Sequence, residues 1–267
     1  MDTSFINVWM EREFEQVKQV IDKFEPISLS EMDSVKLMNR NDYKYIFNIK
    51  RLPFVLDLLS DFYKVLEIDE VRGANYKSIY FDTDNLCMFY DHHNGKPVRF
   101  KIRRREYVDS GLNFMEIKQK NSLGKTLKER VKQNKDDKHF TDKTSSFIQN
   151  YSPFYTENLN PQLVNHFTRY TLVHKTEAER LTIDLNLSFS FEGKEADLPF
   201  LVIAEVKREG DPHKSTFMNM MRSMEIRQSG MSKYCIGTIL LKPEVKHNKF
   251  KPNILKLKRI ENDTYRN

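Results

Sequence analysis

Charged side chains recur at every second position along six stretches of this chain. In VRFKIRRREY, Arg99, Lys101, Arg103 and Arg105 alternate with Val98, Phe100 and Ile102. In FMEIKQK, Glu116, Lys118 and Lys120 alternate with Met115 and Ile117, and after a short NSLG break Thr126, Lys128 and Arg130 take one parity. Arg40, Asp42 and Lys44 share a parity upstream. Downstream, Arg180, Thr182, Asp184 and Asn186 oppose Leu181, Ile183, Leu185 and Leu187, and Glu205 and Lys207 oppose Val202, Ala204 and Val206. A period of two is that of β-strands with one apolar face and one charged face.

A solvated strand face normally mixes charges, whereas this one gathers arginine and lysine, which repel one another across neighbouring strands. Such an array is stable only around something anionic. Closing the strands into a barrel, with the charges inward and helices over the apolar side, makes a cationic tunnel. A linear polyanion with many phosphates suits that tunnel: arginine offers bidentate contacts and lysine a mobile point charge. Glu116, Asp184 and Glu205 are the inward carboxylates that could hold Mn²⁺ or Mg²⁺ against phosphate oxygens.

The elements that must position these residues follow from the remaining pattern. Apolar residues from Phe5 to Phe24 fall at helical spacing, so an amphipathic helix is expected before Pro26. ISLSEMDSVKL reads as a linker or short helix, and MNRNDYKYIFNI as a strand. KRLPFVLDLLSDFYKVLEI reads as a helix with Pro53 in its first turn. Strands are expected over NYKSIYFDT, VRFKIRRREYV, LNFMEIKQK and KTLKERVKQ, with Asn94-Gly95 as a turn. QLVNHFTRYTLVHK, ERLTIDLNLSFSF and PFLVIAEVKRE read as further strands, HKSTFMNMMRSM as a helix and CIGTILLK as a short apolar segment. The fold class is therefore α+β: an antiparallel barrel of about eight strands with flanking helices. Residues 1–35 form a helix and linker, 36–242 the tunnel domain, and 243–267 a basic tail without clear period.

A chain of 267 residues can bury a sizeable core. With 44 Lys and Arg against 38 Asp and Glu, its formal charge of +6 does not by itself call for nucleic acid. Cys87 and Cys235 lie far apart, outside any metal-ligand spacing, and are expected as reduced, buried thiols. No apolar run approaches the length that spans a bilayer and no signal peptide opens the chain, so a soluble, cytoplasmic protein is expected.

RNDYKYIF, SIYFDT, VRFKIRRREY, FMEIKQK, LKERV, ERLTIDLNLSF, LVIAEVK and SGMSKY occur in this order over residues 36–241. The series resembles the polyphosphate polymerase domain of the vacuolar transporter chaperone (VTC) type, a branch of the triphosphate tunnel metalloenzymes. The resemblance implies a tunnel barrel that transfers the γ-phosphate of ATP to a growing polyphosphate chain. It assigns substrate and catalytic roles to Lys44, Arg103, Arg105, Lys118, Lys128, Arg169, Arg180 and Lys233. It places Ser232 near the tunnel end and makes Glu205 the metal ligand. Arg40, Arg99, Lys101, Arg130 and Lys207 join the substrate-binding lining, and Glu116 is a second candidate ligand. His93 and Phe167 depart from an arginine and a tyrosine of the family pattern. The phosphate-sensing domain and membrane segments of eukaryotic relatives are not expected in this chain, so any membrane coupling is expected to use a separate protein.

Hydrolysis of tripolyphosphate or nucleoside triphosphate in the same tunnel remains an alternative, as does a non-catalytic polyphosphate-binding module. Other signals are weaker. LGKT has Gln119 where a phosphate-binding loop needs its first glycine. DHHNG reads as a hairpin tip, NMMRSM as core, and the basic tail as a solvated terminus.

Overall fold

The computed structural model describes residues 3–34, 40–137 and 139–263, and the side chains of these except at 3–10 and 33–34. Residues 36–39, the expected start of the tunnel domain, lie outside the described residues, as do the side chains of Phe5, Val8 and Trp9.

The strands are β1 (Glu25–Ile27), β2 (Asn41–Asn48), β3 (Tyr63–Leu66), β4 (Gly73–Asp82), β5 (Arg99–Tyr107), β6 (Leu112–Lys120), β7 (Thr126–Gln133), β8 (Asn160–His174), β9 (Glu179–Phe191), β10 (Lys194–Leu198) and β11 (Leu201–Arg208). The helices are α1 (Thr3–Ile21), α2 (Leu29–Ser34), α3 (Leu52–Leu59), α4 (Cys87–His93), α5 (Asp142–Tyr151), α6 (Thr216–Ser223), α7 (Lys233–Leu241) and α8 (Lys251–Glu261). The main sheet runs β2-β11-β9-β8-β4-β5-β6-β7, eight strands that pair antiparallel throughout. The α+β class, the large antiparallel sheet and the flanking helices are as the sequence pattern predicts.

The expected full closure is not present. On a flat sheet β6 and β11 would lie about 24 Å apart, five spacings of roughly 4.8 Å. Lys118 of β6 nevertheless feels the charge of Lys207 of β11, so the sheet is strongly curled. Its ends, β2 and β7, are not joined by a ladder among the described residues. Of the two end strands, β7 carries Lys128 and Arg130 on its inward face and β2 carries Asp42 and Lys44.

The convex side of the sheet holds the main core. Val17, Ile21 and Phe24 meet Leu52, Val55, Leu56 and Leu59 of α3, the outward residues of β2, β9 and β11, and Phe217, Met218 and Met221 of α6. The methionine-rich segment is thus core. Under β5 and β6, Ile102, Met115 and Ile117 pack with Ile148 of α5, which is closed by a Thr141–Thr144 capping box.

The concave face is apolar at one end, where Ile46, Ile203, Leu163 and Phe189 pack on Tyr234, Cys235 and Ile236 of α7. The apolar segment CIGTILLK is therefore a helix lodged against the inner wall.

Several local readings are corrected. The third helix stops at Leu59, because Tyr63 and Val65 alternate inward and pair β3 with β1 and β8. DHHNG is no hairpin tip: His92 and His93 end α4, which the buried Asp82 side chain caps by accepting from Met88 N and Phe89 N, both at 2.9 Å. The basic tail is not merely solvated. Its residues 251–261 form α8, in which Ile254, Leu257 and Ile260 lie three apart and pack on the fold, and Asn48 Nδ2 donates to Ile260 O at 2.7 Å. β10 was hidden in a polar stretch; Glu192 and Gly193, both at positive φ, turn the chain back onto β9. Neither cysteine is in a disulfide, and Cys235 is buried while Cys87 is half-buried.

α7 admits no larger side chain at Gly237, where an added Cβ would sit 2.5 Å from Phe189 Cδ1 and 2.8 Å from Leu163 Cδ2. Gly237→Ala is expected to destabilise the fold by about 1–3 kcal/mol through overpacking, read as a lower urea midpoint. An unchanged midpoint would mean that α7 is free to move off the wall.

A cationic lumen as candidate functional site

The strand registers set the inward charges in rows. Lys101, Lys118 and Lys128 are direct neighbours across β5, β6 and β7, and Arg103, Glu116 and Arg130 form the next row. Across the sheet, Lys44 pairs with Glu205 and Glu205 with Thr182, while Asp42, Lys207 and Arg180 form the adjoining row. Arg169 of β8 lies opposite Asp184 of β9.

Each of three inward carboxylates is held by two cations. Glu116, fully buried, accepts from Arg103 Nε at 2.8 Å and Nη2 at 2.6 Å, and from Lys128 Nζ. Asp184 accepts from Arg169 Nε at 2.5 Å and Nη2 at 2.8 Å, and from Lys233 Nζ. Glu205 pairs with Lys44 Nζ at 3.0 Å and with Lys207 Nζ. Arg103 Nη1 also donates to the Tyr80 hydroxyl at 3.2 Å.

These clamps offset the cost of burial. Burial would raise the pKa of Glu116, but Arg103, Arg105 and Lys128 outweigh it and hold the carboxyl well below the usual range. Asp184 is lowered in the same way by Arg169 and Lys233. Burial works against the charge on Arg103 and Arg169, yet Tyr80 and Glu116 for the first, and Asp184 for the second, override it and raise both. The lysines behave differently. Burial pulls Lys233 and Lys207 down to about 7 and Lys128 to about 8, and it lowers Lys44.

Arg105, Lys101 and Lys118 have no carboxylate within hydrogen-bonding distance among the described residues. Arg105 is buried, its Nε lacks any partner, and burial together with Arg103 lowers it to about 10. Lys118 is open to water, yet burial by the surrounding protein, followed by Arg103, Lys128, Arg105 and Lys207, pushes its pKa well down. A side chain both wetted and enclosed lines a lumen. The uncompensated charge is thus concentrated on the β5–β6–β7 wall, while the β2–β11–β9 wall alternates in sign.

The other expected residues are placed less centrally. Arg180 lies on the inward face of β9 beside Lys207. Arg40 precedes β2, 3.6 Å from Asp42 and substantially exposed. Arg99 begins β5, with Nη1 on Lys96 O at 2.9 Å. Arg130 stacks on Phe114 at 4.7 Å. Ser232 is the N-cap of α7, its Oγ accepting from Cys235 N at 3.2 Å, so it fixes the helix that begins with Lys233. His93 is buried in α4, away from the inward rows.

Unforeseen in the sequence were Asp82 and the aromatic side chains. Asp82 Oδ2 accepts from the Tyr234 hydroxyl at 2.6 Å and thereby ties α7, and Lys233 with it, to the end of β4. A carboxylate closing a strand in YFDT, just before a helix, was the available signal. Concavity alone points elsewhere: hollows of about 310 and 320 Å³ are lined by Thr83, Pro153 and Tyr155 and by Phe191, Lys194 and Lys242, without any of the inward cations.

Among the described residues no three His, Cys, Asp or Glu side chains gather as a metal cluster. The donor set fits an ion that takes most of its oxygens from phosphate and water, as Mg²⁺ and Mn²⁺ do. Glu205 is the carboxylate suited to it, since 18% of its side chain stays accessible, against 0% for Glu116 and 6% for Asp184.

Among solved structures, a Bacillus halodurans protein named as an adenylate cyclase shares 15% identity over 73% of this chain and 96% of its own, with a TM-score of 0.48. A Hippeastrum protein, also named an adenylyl cyclase and described as having a dominant triphosphatase activity, shares 14% over 78% of this chain and 99% of its own, with a TM-score of 0.46. A Pyrococcus horikoshii protein shares 13% over 77% and 99%, with a TM-score of 0.43. No curated protein matches the chain. The VTC domain family matches residues 39–242, most of the chain and the whole of the main sheet, and the protein belongs to that family.

Proposed function

We propose that the chain is a metal-dependent polyphosphate polymerase that passes the γ-phosphate of ATP to the end of an inorganic polyphosphate chain. The observation that carries this reading is the row Lys101–Lys118–Lys128 with Arg105 beside it, enclosed cations of which, among the described residues, only Lys128 has a carboxylate partner, Glu116. A linear chain of phosphates supplies the missing charge at repeating intervals. Arg105, Lys118 and Lys101 would take phosphate oxygens directly, and Lys128 would exchange Glu116 for one. Arg103 would keep its bidentate hold on Glu116 and stiffen the wall.

Phosphoryl transfer asks for alignment and charge neutralisation more than for covalent help from the protein. An oxygen of the acceptor chain attacks the γ-phosphorus, the bond to the β–γ bridging oxygen breaks, and ADP leaves with the electron pair. Glu205 would hold Mg²⁺ or Mn²⁺, which would supply charge neutralisation for the phosphate being transferred. Lys44 and Lys207, released from Glu205, and Lys233 at the start of α7 would face the transferred group. α7 fills the apolar end of the concave face, so a polymer would pass along Arg99, Lys101, Lys118 and Lys120. One observation favours hydrolysis as a second reading: α7 fills the apolar end of the concave face, and a hydrolase of short substrates needs no exit there for a growing chain.

Incubation with ATP and Mn²⁺, with products resolved by chain length on a gel, decides between them. Long chains are expected; ADP and free phosphate alone would overturn polymerisation in favour of hydrolysis. In the same assay Glu205→Gln is expected to lower turnover about a hundredfold or more, while tripolyphosphate affinity stays within about threefold. Full turnover by this variant at limiting metal would remove Glu205 from the metal site.

Affinity should also depend on pH. A lysine binds phosphate as the ammonium, and Lys207, Lys233 and Lys128 lose their protons between about 7 and about 8. Tripolyphosphate becomes no less negative over that range. Its affinity is therefore expected to be greatest below pH 7 and about tenfold weaker at pH 9, the worth of one pKa unit. Titration calorimetry at fixed ionic strength measures it, and a constant affinity would place the binding charge on other groups.

A further inference from the structure

Phe167 lies where cations converge. Its ring is buried and parallel to that of Tyr76, at 5.1 Å between centroids and 3° between planes. Lys233 Nζ sits 3.2 Å from the Phe167 centroid, and the guanidinium carbons of Arg169 and Arg105 lie 5.3 and 5.6 Å from it. The same two arginines stand 5.3 and 5.2 Å from Tyr76. The chain is shaped to put the ring there. The β8–β9 register shifts between His166 and Thr168, and Asn186 opposite adopts a positive φ of 52°. Bulges of this kind re-aim a side chain.

An aromatic face attracts a cation through its quadrupole, most strongly where water is excluded. It differs from a carboxylate in one respect that matters here. Asp184 is already shared between Arg169 and Lys233, and a second carboxylate would repel an incoming phosphate. The ring holds the ammonium without a negative charge and without a lone pair. An ammonium has three N–H donors, so a phosphate oxygen can engage Lys233 while Asp184 retains its own hydrogen bond. No hydroxyl on the ring competes for that oxygen.

We infer that Phe167 is a positioning residue: its ring holds Lys233 at the head of α7, directed into the lumen, in place to receive the phosphate group that is transferred or the acceptor end. This inference rests on the reading of the lumen as a polyphosphate site. The ring acts through Lys233 and touches no reacting atom. Its loss therefore lowers the rate of transfer more than the affinity for the bound chain, which the β5–β7 wall supplies.

Five proteins test it: wild type, Phe167→Leu, Phe167→Tyr, Lys233→Ala, and the double variant of Phe167→Leu and Lys233→Ala, which completes a cycle. Tripolyphosphate binding is measured by calorimetry, and ATP turnover with Mn²⁺ as kcat and KM. Phe167→Leu is expected to lower kcat about tenfold with KM changed less than about threefold, and Phe167→Tyr to restore kcat to within about twofold. In the Lys233→Ala background Phe167→Leu should cost nothing further, since coupled residues are not additive. Wild type that binds no tripolyphosphate would overturn the polyphosphate reading itself. Wild type that binds and turns over while Phe167→Leu matches it, or a full additional loss in the Lys233→Ala background, would overturn the role of Phe167 alone. If Phe167→Leu does not fold, a pentafluorophenyl ring at the same position keeps the shape and reverses the quadrupole. It is expected to lower kcat in the same way, and normal kcat would equally overturn the inference.

Discussion

The inward face of this structure answers to the repulsion among its cations. Three carboxylates, Glu116, Asp184 and Glu205, each bind a pair of them. A buried carboxylate with one partner would be an uncertain contributor to stability, because desolvation rivals the Coulomb attraction. With two cations apiece, and with bidentate geometry from Arg103 and Arg169, each carboxylate is secured and each wall is cross-linked. The clamps join β5, β6 and β7 on one side, β8, β9 and α7 on another, and β2 with β11 on the third. Arg105, Lys101 and Lys118 stand outside these clamps, and their charge is available to something that is not protein.

The division of labour between walls follows from this. The β5–β7 wall carries surplus positive charge and is suited to holding a chain. The β2–β11–β9 wall alternates lysine with carboxylate, and there a divalent ion or a phosphate can exchange with a lysine without leaving bare charge behind. The convex side has an independent logic of apolar packing under α1, α3, α5 and α6, so the inward face can be tuned residue by residue with little effect on the core. α7 joins apolar packing to the inward face, as a filler of the concave wall that begins with a lysine in the lumen.

Much of this was legible in the sequence because strand parity is a strong local signal. The alternation in VRFKIRRREY and FMEIKQK fixed which residues share a face, and the registers bring them into rows. Pairing was not legible, since parity is silent on which cation meets which carboxylate across strands distant in sequence. Asp184, a candidate metal ligand by its parity, proves to be the clamp of Arg169 and Lys233. α7 and α8 were missed for different reasons. CIGTILLK is apolar all round and has no period to detect, and in the tail three apolar residues spaced by three are diluted among lysines. α4 was missed because its cap is a residue of the preceding strand; Phe167 stood out as a departure from the family's tyrosine, but its contact with Lys233 was hidden because a register shift turns the ring there.

The unjoined edge of β7 has a consequence for how copies of the protein treat one another. An open strand of eight residues, Thr126–Gln133, is a template on which a second chain could add by backbone pairing. Lys128, Arg130 and Lys132 stand on one face of that strand, and two such edges meeting antiparallel would bring six positive charges together. The charges that make room for a polyanion therefore also act as gatekeepers against self-association. The guard is electrostatic, so it is strongest in dilute salt and weakest where a polyanion screens it. The ionic surroundings and the colloidal behaviour of the protein are linked through a single strand.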